Sequence, residues 1–143
     1  MQGDTDTVAA LEEGPVLRLD FAKLARTVAQ GQQVIPVAVQ SSQTKEVILV
    51  AYTNEEALRR SIETRVATFW STSRNELWIK GKTSGNVFRL DEIRVNCEQN
   101  SLVYLVRPQG EGICHTKNTR GDARNCFYRR VDMETGALQN LDP

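Results

Sequence analysis

A series of short segments rich in β-branched and aromatic residues, each ended by polar or glycine-containing turns, sets what this chain can fold into. Residues 34–39 and 47–52 read as two strands joined by a polar turn at 41–45. Their unbroken apolarity predicts cover on both faces, while Pro36 predicts an edge position or a bulge. Residues 67–71, 77–80, 87–95, 101–106 and 127–131 read as further strands. Helical spacing is confined to two places. Leu19, Ala22, Leu24, Ala25 and Val28 fit a short amphipathic helix over 19–29, with Asp20 as cap and Gly31 as stop. Thr53-Asn54-Glu55-Glu56 reads as a capping box opening a second helix to about Thr64, with Ala57, Leu58 and Ile62 as its buried face. Strand outweighs helix. The pattern predicts an α+β fold with a mostly antiparallel sheet and two short helices.

The remaining bounds narrow the function. Residues 1–15 read as a flexible arm ending in Gly14-Pro15, and 16–143 as a single domain large enough to bury a core. Eighteen basic and 18 acidic residues cancel, so no bulk field recruits nucleic acid or an anionic membrane. No apolar run approaches the roughly 20 residues a membrane span requires. The polar, acidic start lacks the pattern of a signal peptide. The expectation is a cytoplasmic protein whose cysteines stay reduced.

Those cysteines carry the chemistry. Cys97, Cys114 and Cys126, with the single His115, fall within thirty residues. Three cysteines make a poor disulfide framework because one is left over. Thiolate and imidazole are good zinc ligands, and a catalytic zinc uses three protein ligands and one open position. The spacing contains no Cys-x-x-Cys pair, so neither a zinc ribbon nor a thioredoxin-like redox pair is supported. Buried cysteines are often inert small apolar residues. Spacing alone leaves both readings open, although the polar neighbours Asn96, Glu98 and His115 favour a ligand role.

A second constellation runs from Phe69 to Asn86. Hydroxyls, glycines and basic side chains lie between and after Trp70 and Trp78, a composition suited to phosphate. Gly81-Lys82-Thr83 lacks the upstream glycine of a P-loop, so two solvated hairpin turns are the plainer reading. The run from Asn118 to Arg124 reads as an exposed, solvated loop whose arginines remain available to an anionic substrate.

Taken together, Ile35-Pro36-Val37, Ala51 to Leu58, Phe69 to Arg74, Leu77 to Asn86, Cys114-His115-Thr116 and Cys126-Phe127-Tyr128 resemble the phosphoribosyl-AMP cyclohydrolase family, in its stand-alone form without a fused pyrophosphohydrolase domain. The resemblance covers roughly residues 34–130. It implies hydrolytic opening of the adenine ring of 1-(5-phosphoribosyl)-AMP at N1–C6, by a zinc-bound hydroxide, in histidine biosynthesis. It further implies an intertwined homodimer whose zinc is shared, Cys97 coming from one chain and Cys114 and Cys126 from the other. His115 would move a proton or orient the water. Trp70, Ser71, Ser73, Arg74, Lys80, Thr83, Ser84 and Asn86 would line the nucleotide pocket.

This chain departs from that family at three places. The family has aspartates around its first zinc cysteine, associated with magnesium, where this chain has Asn96, Glu98 and Asn100. Two lost carboxylates leave a degenerate magnesium site. The Cys114–Cys126 gap is longer, and Ser41 stands where the family often has aspartate. Two alternatives follow: a paralogue hydrolysing a different purine-like nucleotide, or a non-catalytic, zinc-stabilised nucleotide-binding protein.

Overall fold

Four strands form the main sheet. The structure, a computed structural model, describes residues 4–81, 85, 87–109 and 116–143, with the side chains of residues 4–7 excepted. The strands are β1 (Ile35–Ser41), β2 (Val47–Thr53), β5 (Phe88–Val95) and β6 (Leu102–Pro108), in the order β2-β1-β6-β5. A hairpin of β3 (Thr68–Ser71) and β4 (Glu76–Ile79) and a small ribbon of β7 (Arg129–Val131) and β8 (Leu138–Asn140) complete the strands among the described residues. Among the described residues three short helices, one more than expected, accompany them: α1 (Asp4–Glu13), α2 (Lys23–Ala29) and α3 (Glu55–Thr64).

Pairing is antiparallel except between β1 and β6, which run parallel. The expected α+β character is therefore present, with one parallel pair in a mostly antiparallel arrangement. Strand β1 is internal rather than an edge. Pro36 is tolerated there because the β1–β6 ladder begins only at Val37, so its missing N–H interrupts nothing on that side. The bulge that a proline suggested falls later, between Val39 and Gln40.

The core lies on one face of this sheet. Val37, Val39, Leu49, Ala51, Leu102, Tyr104 and Val106 are buried there, covered by the β3–β4 hairpin and by Leu58 of α3. Phe69 sits between Trp78, 5.4 Å away centroid to centroid, and Tyr104 at 5.7 Å. Full burial of such a ring is worth roughly 1.5–3 kcal/mol, and tilted aromatic contacts add to it.

Several local expectations change in the tertiary setting. The cap of α3 is Asn54, whose side chain accepts from the Ala57 N–H at 2.9 Å; Thr53 is the last residue of β2. The helix buries Ala57 and Ser61, while Ile62 is exposed. The Ser61 hydroxyl accepts the Thr68 N–H at 2.9 Å and stands 3.0 Å from the Thr68 carbonyl, which fastens α3 to β3. Helix α2 begins at Lys23, later than expected, and buries only Thr27. Leu24 and Val28 face solvent, and Phe21 is 90% exposed.

The N-terminal segment also differs from a loose arm. Helix α1 occupies most of it, and residues 12–15 bond to the C-terminal third of the chain. The loop at 118–124 is likewise less exposed than its composition suggests, since Asn118 and Arg124 are both buried. Strand β8 has no counterpart in the sequence reading, being three residues long with no apolar run.

Candidate functional site

The hairpin β3–β4 turns at residues 72–75, and its hydroxyls gather there. Ser71 and Ser73 hydroxyl oxygens stand 3.3 Å apart, and the Ser71 oxygen accepts the Arg74 N–H at 3.2 Å. Asn75 closes the turn in the left-handed region at φ 55°, which asparagine tolerates better than most residues. Gln32 steadies the hairpin from outside. Its Oε1 accepts the Trp70 indole N–H at 3.0 Å, and its Nε2 donates to the Thr72 carbonyl at 3.0 Å.

A cavity of about 230 Å³ opens beside this turn, lined by Trp70, Ser71, Thr72, Ser73, Arg74 and Trp78 on the hairpin, Val50 to Tyr52 on β2, and Lys23 on α2. Four of the expected substrate-binding residues, Trp70, Ser71, Ser73 and Arg74, thus share one cavity. Lys80 does not line it; its ammonium lies 5.6 Å from the Phe88 ring centroid. Thr83, Ser84 and Asn86 lie outside the described residues. Lys23, Tyr52 and Gln32 were not singled out from the sequence. Lys23 stands 5.8 Å over the Tyr52 ring and is a second cation, with Arg74, in the lining. Only its place in a helical pattern was visible beforehand.

The thiols are presented differently. Cys97 sits in the tight turn between β5 and β6, and Cys126 in the segment leading to β7; both are exposed and neither is in a disulfide. Cys114 and His115 lie outside the described residues. Strand register separates the two visible thiols. The Cys97 turn joins Val95 to Leu102, which lies opposite Val37 and, through it, Ala51. The Cys126 N–H donates to the Ile48 carbonyl at 3.1 Å. Three residues of strand, about 10 Å, and two strand spacings, about 10 Å, lie between those anchor points. Two thiolates on one tetrahedral zinc stand only about 4 Å apart. Within one chain, these two do not meet. Among the described residues no three His, Cys, Asp or Glu side chains gather closely enough to hold a metal.

As chemistry, two accessible thiols fit zinc. The residues around Cys97 do not fit magnesium. Asn96 Oδ1 accepts the N–H groups of Asn100 (2.9 Å) and Ser101 (3.0 Å), and Asn96 Nδ2 donates to Asn100 Oδ1 at 2.6 Å. Asn100 Nδ2 in turn donates to Glu98 at 3.2 Å. The amide oxygens are spent inside the turn, and one carboxylate remains for an ion that favours several, with water, in an octahedron.

A family model for phosphoribosyl-AMP cyclohydrolase matches residues 49–128, from β2 through Tyr128. The chain belongs to the phosphoribosyl-AMP cyclohydrolase family. Similar proteins carrying that name include those of Archaeoglobus fulgidus (49% identical over 98 residues, 68% of this chain and 85% of that protein) and Methanothermobacter thermautotrophicus (45% over 118 residues, 79% and 81%). The phosphoribosyl-AMP cyclohydrolase of Brucella anthropi is 42% identical over 130 residues, 90% of this chain and 83% of its own. Members of this family are hydrolases, and no helix among the described residues is long and apolar enough to cross a membrane.

Proposed function

We propose that this protein hydrolyses the N1–C6 bond of the adenine ring of phosphoribosyl-AMP, a step of histidine biosynthesis, in a cytoplasmic homodimer. The observation that carries the reading is the cavity beside β3–β4, where two tryptophans, two serines and the cations of Arg74 and Lys23 surround one space. Indole faces suit a purine, and hydroxyls with cations suit phosphate. The cavity is smaller than the roughly 300–1,000 Å³ typical of ligand sites. It suits part of a nucleotide that carries two phosphates, with the rest held by residues from elsewhere.

We assign Cys97, Cys114 and Cys126 as the residues that would hold zinc. The separation of Cys97 from Cys126 within one chain supports their meeting across two chains. Exposed Phe21, Leu24, Val28 and Val50 offer apolar surface for a second copy. The chemistry a zinc ion supplies in such a site is acidification of bound water towards neutral pH. Water is then added across N1–C6, its oxygen ending on C6 and a proton on N1 as that bond breaks. His115, adjacent to Cys114, is the group assigned to hold and deliver the proton at N1. Trp70, Ser71, Ser73 and Arg74 orient the nucleotide, and magnesium has no assigned role.

An ultraviolet assay of ring opening, with purified protein and phosphoribosyl-AMP in zinc, tests this directly. Turnover is expected with or without added magnesium. No ring opening in either condition overturns the proposal, and zinc retention with nucleotide binding but no turnover would identify a non-catalytic nucleotide binder.

A further inference from the structure

Residues 12–15 lie outside the stretch matched by the family model, yet they bond on both sides of Cys126. Two residues before that thiol, the Arg124 guanidinium is paired with the Glu13 carboxylate and is only 1% exposed. It lies 3.8 Å from the Tyr128 ring centroid, and its Nη1 donates to the Asp142 carbonyl at 3.2 Å. Two residues after the thiol, Tyr128 Oη donates to the Glu12 carbonyl at 2.5 Å. Arg129 Nη1 donates to the Gly14 carbonyl at 3.1 Å, and the Leu138 N–H to the Pro15 carbonyl at 2.7 Å.

On its other side the same segment is tied to β2. The Cys126 N–H bonds Ile48, and Asn125 Nδ2 donates to the Val47 carbonyl at 2.8 Å. A five-residue stretch is thus held at both ends and at its middle by partners from three remote parts of the chain.

We infer that residues 12–15 are a brace that positions the Cys126 thiolate for its metal, with Glu13 and Arg124 as positioning residues. The inference rests on the reading of Cys126 as a zinc ligand. Fixing a ligand before the metal arrives removes conformational entropy that binding would otherwise lose; groups bonded directly to a metal ligand commonly change affinity 10- to 100-fold, and Glu13, which acts through Arg124, belongs at the low end of that range. An ion pair with a half-exposed carboxylate contributes little to global stability. Its effect is local, at the thiol it flanks.

The test uses the full-length protein. Zinc affinity is read by competition with a chromogenic chelator, and thiolate geometry by the cobalt–thiolate absorption band. Glu13→Ala is expected to weaken zinc about tenfold and shift that band, while Asp20→Ala, which breaks the Arg26–Asp20 pair of α2, changes neither. In the metal-free protein, peptide-resolved alkylation should be faster at Cys126 and unchanged at Cys97. Unchanged affinity and alkylation in Glu13→Ala, alongside zinc loss in Cys126→Ser, overturns the brace while leaving the ligand assignment standing. Equal acceleration at both thiols marks general loosening and also overturns it. Wild-type zinc affinity in Cys126→Ser overturns the ligand reading and the brace with it.

Discussion

Cys97 and Cys126 are the same kind of side chain held in opposite ways. The Cys97 turn closes on itself: Asn96, Glu98, Asn100 and Ser101 satisfy one another within six residues. The Cys126 segment depends on Val47 and Ile48 and, through Arg124 and Tyr128, on Glu13 and Glu12, 111 and 116 positions away. A local turn forms wherever its own residues are present. A thiol held by remote partners is placed only after the whole chain has closed, so distant substitutions reach it.

The largest expected effect breaks the comparison at the level of function, where the two thiols should be equivalent. Cys97→Ala and Cys126→Ala each reduce turnover to background, and each purified variant is inactive. Mixed one to one after unfolding and refolding together, they should recover about a quarter of wild-type activity. Half of the dimers then carry one intact site of two, because each isologous dimer has two shared sites. No recovery sinks the shared site.

A smaller pair of effects sharpens the contrast in how the thiols are held. Arg124→Ala removes a buried cation, its stacking on Tyr128 and two hydrogen-bonded partners, and should cost about 2 kcal/mol in urea unfolding. Hydrogen exchange should rise at residues 124–129 and stay unchanged at 96–101. Asn96→Ala should cost about 1 kcal/mol and do the reverse. Equal spread of exchange in either variant would erase the distinction.

The smallest effect is a pH dependence. Hydrogen bonding from Arg124, reinforced by its charge, holds the Glu13 carboxyl below its ordinary value. A depressed carboxyl contributes stability that is complete above the unfolded-state pKa and is lost as pH falls through the folded one. Cys126 alkylation, corrected for thiolate fraction, should therefore rise with acidification across the lower carboxylate range. Glu13→Gln should flatten that rise. A wild-type slope in the variant would remove Glu13 from the account.

Much of the fold was readable from local pattern. The strands from β1 to β6 fall close to their expected positions, because β-branched runs between turns depend on few partners. Helix α3 was also readable, although its cap moved by one residue to Asn54 and its buried face took Ser61 in place of Ile62. The cap moved because Thr53 is the last residue of β2, and the buried face because Ser61 bonds Thr68 of β3, neither of which helical periodicity encodes. In the candidate site, Trp70, Ser71, Ser73 and Arg74 were readable as one hydroxyl-rich turn. Lys23 and Gln32 were not, since they reach the hairpin from a part of the chain about forty residues earlier.

By itself the sequence determined the mostly stranded α+β character and the short segment between strands that carries Cys97, because these rest on interactions within a few residues. The parallel β1–β6 pair, the burial of Arg124 against Glu13 and the separation of Cys97 from Cys126 were decided only in three dimensions. Each requires segments far apart in the chain to close a long loop before any contact repays its entropy.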